Sequence, residues 1–113
     1  MGHILQQLAI SISPLIKFKV EGNSMLPTYK NCDVVLVNKL AYVFSVPKID
    51  HVVVIKNPKG RYIIKRINKV SNDQFFVVGD NTKESTDSRS FGWIGKKDIV
   101  GKVTGKISNC SNF

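Results

Sequence analysis

Short apolar runs separated by turn-forming residues recur along this sequence, and this pattern constrains the fold more than any other feature. Residues 16–20 alternate apolar and charged side chains, as a half-buried strand does. Residues 33–37 are a β-branched run after one acid, which is typical of a buried strand. Four later runs also have strand character: 52–55, 62–67, 74–80 and 98–107. Strands at such short spacing predict a mainly β fold, a small barrel or coiled sheet.

The segments between these runs are turns and one long polar stretch. Asn57-Pro58-Lys59-Gly60 predicts the turn of a hairpin, and Ser71-Asn72-Asp73 predicts a second short turn. Residues 81–95 have neither a strand period nor a helix period, so we expect an irregular loop there.

The chain has the length of one domain, which we place at residues 15–108, with a frayed tail at 109–113. Residues 1–14 form a short apolar segment, interrupted by two glutamines and a proline. This segment lacks the ~20 apolar residues that span a bilayer and the cleavage site of a signal peptide. Four of its apolar residues share one helical face: Ile4, Leu5, Leu8 and Ile12. A short helix packed on the domain and a helix lying in a membrane interface both fit this pattern.

The formal net charge of +9 allows an anionic partner, such as nucleic acid, a membrane surface or an acidic substrate. A solvated lysine-rich surface explains the same charge without a partner. The basic residues are dispersed, aromatic residues do not interleave with them, and no helix-turn-helix or zinc-finger spacing is present. We therefore expect no nucleic acid as the main partner.

Metal and cofactor sites are not indicated. The two cysteines, Cys32 and Cys110, form no CxxC motif, and the two histidines, His3 and His51, have no ligand-like neighbours. We expect neither a metal nor a cofactor. A Cys32–Cys110 disulfide is allowed but not required by the sequence.

The stretch LAYVFSVPK, residues 40–48, carries four large apolar side chains close together: Tyr42, Val43, Phe44 and Val46. Exposing all of them would be costly, so they either pack on the core or form an apolar surface patch.

Ser24, in GNSMLPT, is a candidate nucleophile or a simple turn residue. A serine hydroxyl needs a base, and neither histidine has an obvious acid partner, so a Ser-His-Asp triad is poorly supported. A neutral lysine is the alternative base, and burial among apolar residues lowers a lysine pKa from ~10.4. Lys65, in the strand-like YIIKRI, is the lysine that apolar residues frame best.

The polar run GDNTKESTDSR can be a surface loop or can enclose a site. In the second case Ser85 would hold the lysine amine. Four charged residues would form ion pairs that fix the loop: Arg66, Asp80, Asp87 and Arg89.

Taken in order, GNSMLPT, YIIKRI and GDNTKESTDSRSFG resemble the catalytic motifs of the signal peptidase I family over residues 18–103. The resemblance implies a largely β serine endopeptidase with a Ser-Lys dyad, in which Ser24 is the nucleophile and Lys65 the general base. It also implies that Ser85 orients the lysine and that Met25 shapes the substrate pocket. The same motifs place Asp80, Asp87 and Arg89 in structural support, with Arg66 as their partner. Where some members add a serine donor to the oxyanion hole, this chain has Gly22.

Three features of this chain depart from the usual pattern of the family. The connection from Lys65 to Gly79 is too short for the second β region of typical signal peptidases, and their membrane-spanning first helix is missing. In addition, His51 stands where an acid is common. The compact form is more similar to the small relatives that mature nickel-type superoxide dismutase. This resemblance implies a precursor polypeptide bound in extended form and, in the cytoplasm, removal of a short N-terminal leader.

Three alternatives stay open. A general membrane-associated signal peptidase would process secretory precursors, and its residues 1–16 would contact the membrane. A self-cleaving repressor-type protease shares the Ser-Lys dyad and the β fold. A non-catalytic basic binding module would require the three motifs to coincide by chance.

Overall fold

The computed structural model describes residues 14–109, which form a seven-stranded antiparallel sheet with strand order β1-β2-β7-β3-β4-β5-β6. The strands are β1 (Leu15–Lys19), β2 (Val34–Asn38), β3 (Val52–Lys56), β4 (Tyr62–Ser71), β5 (Gln74–Val78), β6 (Ile94–Gly95) and β7 (Ile99–Ser108). One short helix, α1 (Ser88–Phe91), and a 3₁₀ turn, Lys96–Asp98, lie between β5 and β7. The predicted mainly β, coiled-sheet fold is confirmed.

Strand β3 lies near the centre of the sheet, and both of its faces are buried. Val52 and Val54 face one apolar cluster, whereas Val53 and Ile55 face the other. The first cluster also holds Val20 and Met25 from the loop that follows β1. The second is covered by residues from the loop before β3 and from α1: Ala41, Tyr42 and Phe91. Burial on both faces explains why β3 reads as a continuous apolar run.

Two hairpins connect β3, β4 and β5, as the sequence predicted. In the first turn, Asn57 Oδ1 accepts the backbone N–H groups of Lys59 and Arg61 at 3.0 and 2.9 Å. The second turn has two residues, Asn72 and Asp73, both with positive φ. This is the geometry that matches the twist of a two-residue hairpin, and asparagine and aspartate adopt it more readily than most residues. Strand β4 runs four residues further than predicted, to Ser71.

The polar stretch after β5 is not wholly irregular. It contains α1, which Asp87 caps by accepting the N–H of Arg89, and the two-residue strand β6. Elements this short show no period in a sequence, so the expectation of an irregular loop was wrong here for that reason.

Two expectations about the chain termini fall on residues outside the described part: the short helix around residues 4–12, and the pairing of Cys32 with Cys110. The frayed tail is described only at Asn109. Within residues 14–109, no helix is long and apolar enough to cross a membrane.

The apolar stretch at residues 40–48 was expected either to pack on the core or to form a surface patch, and the structure shows both. Tyr42 is buried in the second cluster, while Val43, Phe44 and Val46 point into solvent. The loop therefore packs on the core through one side chain and exposes the others.

Candidate active site

Ser24 lies in the loop after β1, immediately before the fully buried Met25. Asn81, from the loop after β5, fixes the backbone at this point. Its N–H donates to the Ser24 carbonyl at 2.8 Å, and its side-chain amide donates to the Asn23 carbonyl at 3.0 Å. Ser24 is thus held between a side chain anchored in the core and a second loop, which limits the positions its hydroxyl can take.

Lys65 reaches Ser24 from β4. Its side chain is buried, at 4% exposure, and its Nζ donates a hydrogen bond to Ser24 Oγ at 2.7 Å. Burial lowers the pKa of Lys65 because the interior disfavours the charged amine, and the Asp87 carboxylate partly opposes this shift. The two side chains are close enough for direct proton transfer, and the lysine is the type of group that can be neutral when buried.

The backbone N–H of Ser24 makes no hydrogen bond within the part of the chain that the structure describes. The N–H of Gly22, by contrast, donates to Asn31 Oδ1 at 2.8 Å. Of these two donors, the Ser24 N–H is therefore the one available to a developing oxyanion.

Asp87 is a buried carboxylate that joins several parts of the site, with 1% exposure. Its oxygens accept the Gly79 N–H at 2.8 Å, the Ser85 hydroxyl at 2.6 Å, and two guanidinium N–H groups of Arg89 at 2.9 and 2.8 Å. Burial alone would raise the pKa of Asp87, but the hydrogen bonds from Arg89, Ser85 and Gly79 outweigh it and hold that pKa well below its usual range. Asp87 is therefore an anion at neutral pH, close enough to Lys65 to influence its pKa.

Gly79 allows the loops on either side of it to meet. A Cβ atom at this position would lie 2.6 Å from the Ser24 carbonyl oxygen and would overlap the Ser85 hydroxyl. The sequence predicts that Ser85 orients Lys65, but in the structure the Ser85 hydroxyl donates its hydrogen bond to the Asp87 carboxylate. Its orienting role stays a prediction, with Asp87 as the group through which it is connected to the lysine.

A second ion pair fixes the start of the loop after β5. Arg66 donates to both oxygens of Asp80 at 2.9 Å, and its third contact is the Asp50 carbonyl at 2.9 Å. Thr28 also donates to Asp80, at 2.5 Å. The hydrogen bonds from Arg66 are the main reason that the pKa of Asp80 is lowered. This pair connects the Ser24 loop, through Thr28, to the strand that carries Lys65.

Two cavities, of about 490 and 450 Å³, have both Ser24 and Lys65 in their walls. The first lies between Phe18 on β1 and residues 61–65 at the start of β4. Strand β5 pairs with β4 only from Arg66 onward, so residues 62–65 have no strand neighbour on that side within residues 14–109. An extended peptide could add to this exposed backbone edge and reach Ser24.

The predicted site residues thus lie in one neighbourhood, but the ion pairs are separate. Arg66 pairs with Asp80, and Asp87 pairs with Arg89. Sequence reasoning did not assign roles to three residues that position the others: Thr28, Gly79 and Asn81. All three belong to the quoted motifs, so their inclusion in GNSMLPT and GDN was the available signal. In residues 14–109 no group of three or more His, Cys, Asp or Glu side chains could hold a metal ion.

Comparison with known families gives a match over most of the chain. The family described as "Signal peptidase, peptidase S26" matches residues 2–68 and 67–107. The two parts of the match meet inside β4, a few residues after Lys65.

Similar curated proteins are named signal peptidases. Signal peptidase I V of Bacillus subtilis is 28% identical, and the match covers 91% of this chain and 93% of that protein. Signal peptidase I of Bacillus caldolyticus is 26% identical over 76% of this chain and 75% of its own length. A probable signal peptidase I-1 of Synechocystis is 24% identical, and the match covers 86% of this chain and 76% of that protein. The first alignment extends over 156 residues, more than the 113 of this chain, so the Bacillus subtilis protein contains residues that have no counterpart here.

Proposed function

This chain belongs to the signal peptidase S26 family, and we propose that it is a serine endopeptidase that removes a short N-terminal leader from a precursor protein. The proposal assigns Ser24 as the nucleophile and Lys65 as the general base. The observation that carries it is the 2.7 Å contact between Lys65 Nζ and Ser24 Oγ, made by a lysine that is almost fully buried.

Acylation would begin with neutral Lys65. Its amine lone pair takes the Ser24 proton as Oγ attacks the scissile carbonyl carbon, and the carbonyl oxygen becomes an oxyanion. Asn81 donates to the Asn23 and Ser24 carbonyls and so fixes the peptide units on both sides of Ser24, and the Ser24 N–H stabilises this oxyanion. A donor of this kind is typically worth about 3–4 kcal/mol of barrier. Protonated Lys65 then donates its proton to the leaving amine, and the peptide bond breaks.

Deacylation would use the same lysine. Neutral Lys65 removes a proton from water, the hydroxide oxygen attacks the ester carbon, and Ser24 Oγ leaves with the proton returned by Lys65. The ionised Asp87 stabilises the ammonium form in both halves of the cycle. Ser85 and Arg89 hold that carboxylate in place through their hydrogen bonds.

The substrate is proposed to bind as an extended strand. The first cavity gives it room beside the exposed backbone edge at residues 62–65, and pairing with that edge would carry its scissile bond to Ser24. Met25 lies fully buried behind the nucleophile and would shape the floor of the pocket.

For the identity of the precursor we propose a nickel-type superoxide dismutase, whose new N-terminus would bind nickel. The support is the resemblance of ESTDSRSFG and of the compact loops to the small maturation proteases. The two-residue turn between β4 and β5 leaves no room for a second β region. The cytoplasm is the corresponding site of action.

A second candidate substrate is a secretory precursor cleaved at a membrane. The names of the three relatives described above, each a signal peptidase, favour it. The two candidates differ in the peptide cleaved, so one assay separates them.

The test is cleavage of two synthetic leader peptides, one from a nickel superoxide dismutase precursor and one from a secretory precursor, with products identified by mass. We expect Ser24→Ala and Lys65→Ala to abolish cleavage while circular dichroism and thermal unfolding show a folded protein. Lys69→Ala is the matched control, because Lys69 lies on the same strand with an exposed side chain. A fully active Lys65→Ala variant would refute the dyad, and cleavage of the secretory leader alone would refute the dismutase assignment.

A further inference from the structure

The two cavities beside Ser24 lie differently with respect to β4. The first has every residue from 61 to 65 in its wall, as a groove along a backbone edge does. The second has only Arg61, Ile63 and Lys65 of this segment, and side chains two residues apart lie on the same face of a strand. An extended peptide paired with the edge at residues 62–65 would therefore direct every second side chain into the second cavity.

Arg61 places a cation in the walls of both cavities. Its side chain is exposed, and the guanidinium makes no hydrogen bond or ion pair with any residue in 14–109. Its backbone is fixed by the first hairpin turn, because its N–H donates to Asn57 Oδ1 at 2.9 Å and its carbonyl accepts the Asn57 N–H at 2.8 Å. The charge is thus available to a ligand and projects from a fixed base.

Glu21 approaches the same cavities from the segment that follows β1. It is exposed and lines both of them, yet it forms no ion pair with Arg61 in the described structure. A peptide that occupies the groove would therefore pass between an anion and a cation that do not neutralise each other.

Cations outnumber acids in the walls of the two cavities. Lys65 does not count here, because it is neutral as the base of the proposed cycle. The other charged residues of these walls are Lys19, Glu21, Lys59, Arg61 and Glu84. With a net charge of +9 on the whole chain, this balance favours an anionic side chain in the substrate.

We propose that Arg61 is a specificity-determining residue that binds a carboxylate side chain of the leader. A guanidinium suits this role because it can donate two parallel hydrogen bonds to one carboxylate. The inference rests on the proposed function and names the class of substrate: precursors with an acidic residue shortly before the scissile bond.

The position of that acidic residue follows from the geometry of β4. The leader is the part of the substrate that stays attached to Ser24 in the acyl-enzyme, so we place it along the exposed edge. Arg61 precedes Lys65 by four residues, a distance of about 13 Å along a strand. The long side chain of Arg61 shortens this distance, which places the carboxylate between two and five residues before the scissile bond.

Leader peptides that differ only in one glutamate or glutamine test the proposal. Both leader peptides described above are made with either residue at each position from two to five before the scissile bond. We expect the wild-type protein to have a KM about threefold to tenfold lower for glutamate, with little change in kcat, since the contact lies away from the reacting atoms. The preference should appear only at alternate positions and should shrink at high salt.

Variants of the groove identify the group responsible. Arg61→Gln should remove the difference between the two peptides, and Arg61→Glu should replace it with a preference for lysine over glutamine. Glu21→Gln should enlarge the preference for glutamate, because it removes the acid nearest to the proposed contact. Lys56→Gln is the matched control, because it removes the same charge from the same hairpin at a residue outside both cavity walls, and it should keep the preference.

Equal KM values for the two peptides in the wild-type protein would overturn the proposal. A preference that survives in Arg61→Gln, or that is lost in Lys56→Gln, would also overturn it. Calorimetric binding of the same peptides to Ser24→Ala, with and without Arg61→Gln, measures the contact without cleavage. A wrong assignment of the dyad would show in the cleavage assay and leave this binding difference intact, whereas a wrong assignment of Arg61 would remove the difference and leave cleavage intact.

Discussion

Gly79→Ala is the most direct test of how closely the loops of the proposed active site pack. The new Cβ atom would lie 2.6 Å from the Ser24 carbonyl oxygen and 2.7 Å from Ser85 Cβ, whereas ordinary van der Waals contact begins at 3.4 Å. The Ser24 carbonyl must therefore move by about 0.8 Å, or the β5 end of the loop must retreat by as much. The first movement displaces Ser24 relative to Lys65 directly, and the second disturbs it through the hydrogen bond from Asn81 to the same carbonyl.

The magnitude follows from this overlap. Extra atoms in a well-packed region cost about 1–3 kcal/mol, and each kcal/mol lowers the melting temperature of a domain of this size by roughly 4–8 °C. A misplacement of about 1 Å at a reacting group can reduce the rate about a hundredfold. We therefore expect a folded but less stable variant whose kcat/KM is lower by about one to two orders of magnitude.

The assay combines thermal unfolding with leader-peptide cleavage below both melting temperatures. Gly105→Ala is the matched control, since a Cβ atom at Gly105 on β7 would meet nothing within 4 Å. Adding Ser85→Gly to Gly79→Ala removes one of the two overlaps, so it should restore part of the stability and little of the activity. Wild-type stability and activity in Gly79→Ala would refute the close packing of Ser24 on Gly79.

Three further predictions concern protonation and packing. Because burial lowers the pKa of Lys65 and the neutral amine is the proposed base, kcat/KM should rise with pH, and the midpoint of this rise should lie below ~10.4. A midpoint at or above that value in the pH–rate profile would contradict the assignment of Lys65 as the base. The hydrogen bonds from Arg66 lower the pKa of Asp80 in the folded state. The ionised Asp80 therefore contributes its full stabilisation to the fold above the ordinary pKa of 3.8, and this contribution is lost as the pH falls through the lowered pKa. Urea unfolding should therefore show that Asp80→Asn costs about 1–3 kcal/mol near neutral pH and that this cost shrinks in acid. Met25→Ala should cost about 2–5 kcal/mol in the same measurement, and Met25→Leu less than about 1.5, because Met25 is fully buried.

The sequence predicted the β fold because most strands repeat a clear apolar pattern, and it singled out Lys65 because isoleucines frame it. It could not assign the ion pairs, since two acids and two arginines in adjoining segments allow several pairings. Arg66 pairs with Asp80 because the β4–β5 register places Arg66 opposite Val78, two residues before Asp80. Asp87 pairs with Arg89 because the two are joined by one capping turn.

Tertiary contacts decided the remaining features. Tyr42 and Phe44 stand two residues apart in one apolar stretch, yet one is buried and the other is 90% exposed. Tyr42 packs in the second core cluster, and His51, nine residues away, binds its hydroxyl, whereas Phe44 has no such partners among the described residues. The close approach at Gly79 likewise depends on Ser24, which lies far away in sequence. Local patterns report the period of a strand, but they do not report which distant group a side chain or a glycine will meet.

Burial and Asp87 act on the pKa of Lys65 in opposite directions, and the proposed cycle requires both effects. The resting enzyme needs a neutral amine, which burial favours, while the tetrahedral intermediate needs an ammonium, which the carboxylate stabilises. A fully apolar wall would give a neutral but very weak base, whereas a direct ion pair with a carboxylate would keep the lysine protonated and inactive. Asp87 avoids the second outcome because Arg89, Ser85 and Gly79 already occupy its oxygens. Its charge therefore acts on Lys65 without a described hydrogen bond to Nζ, which leaves the amine directed at Ser24 Oγ.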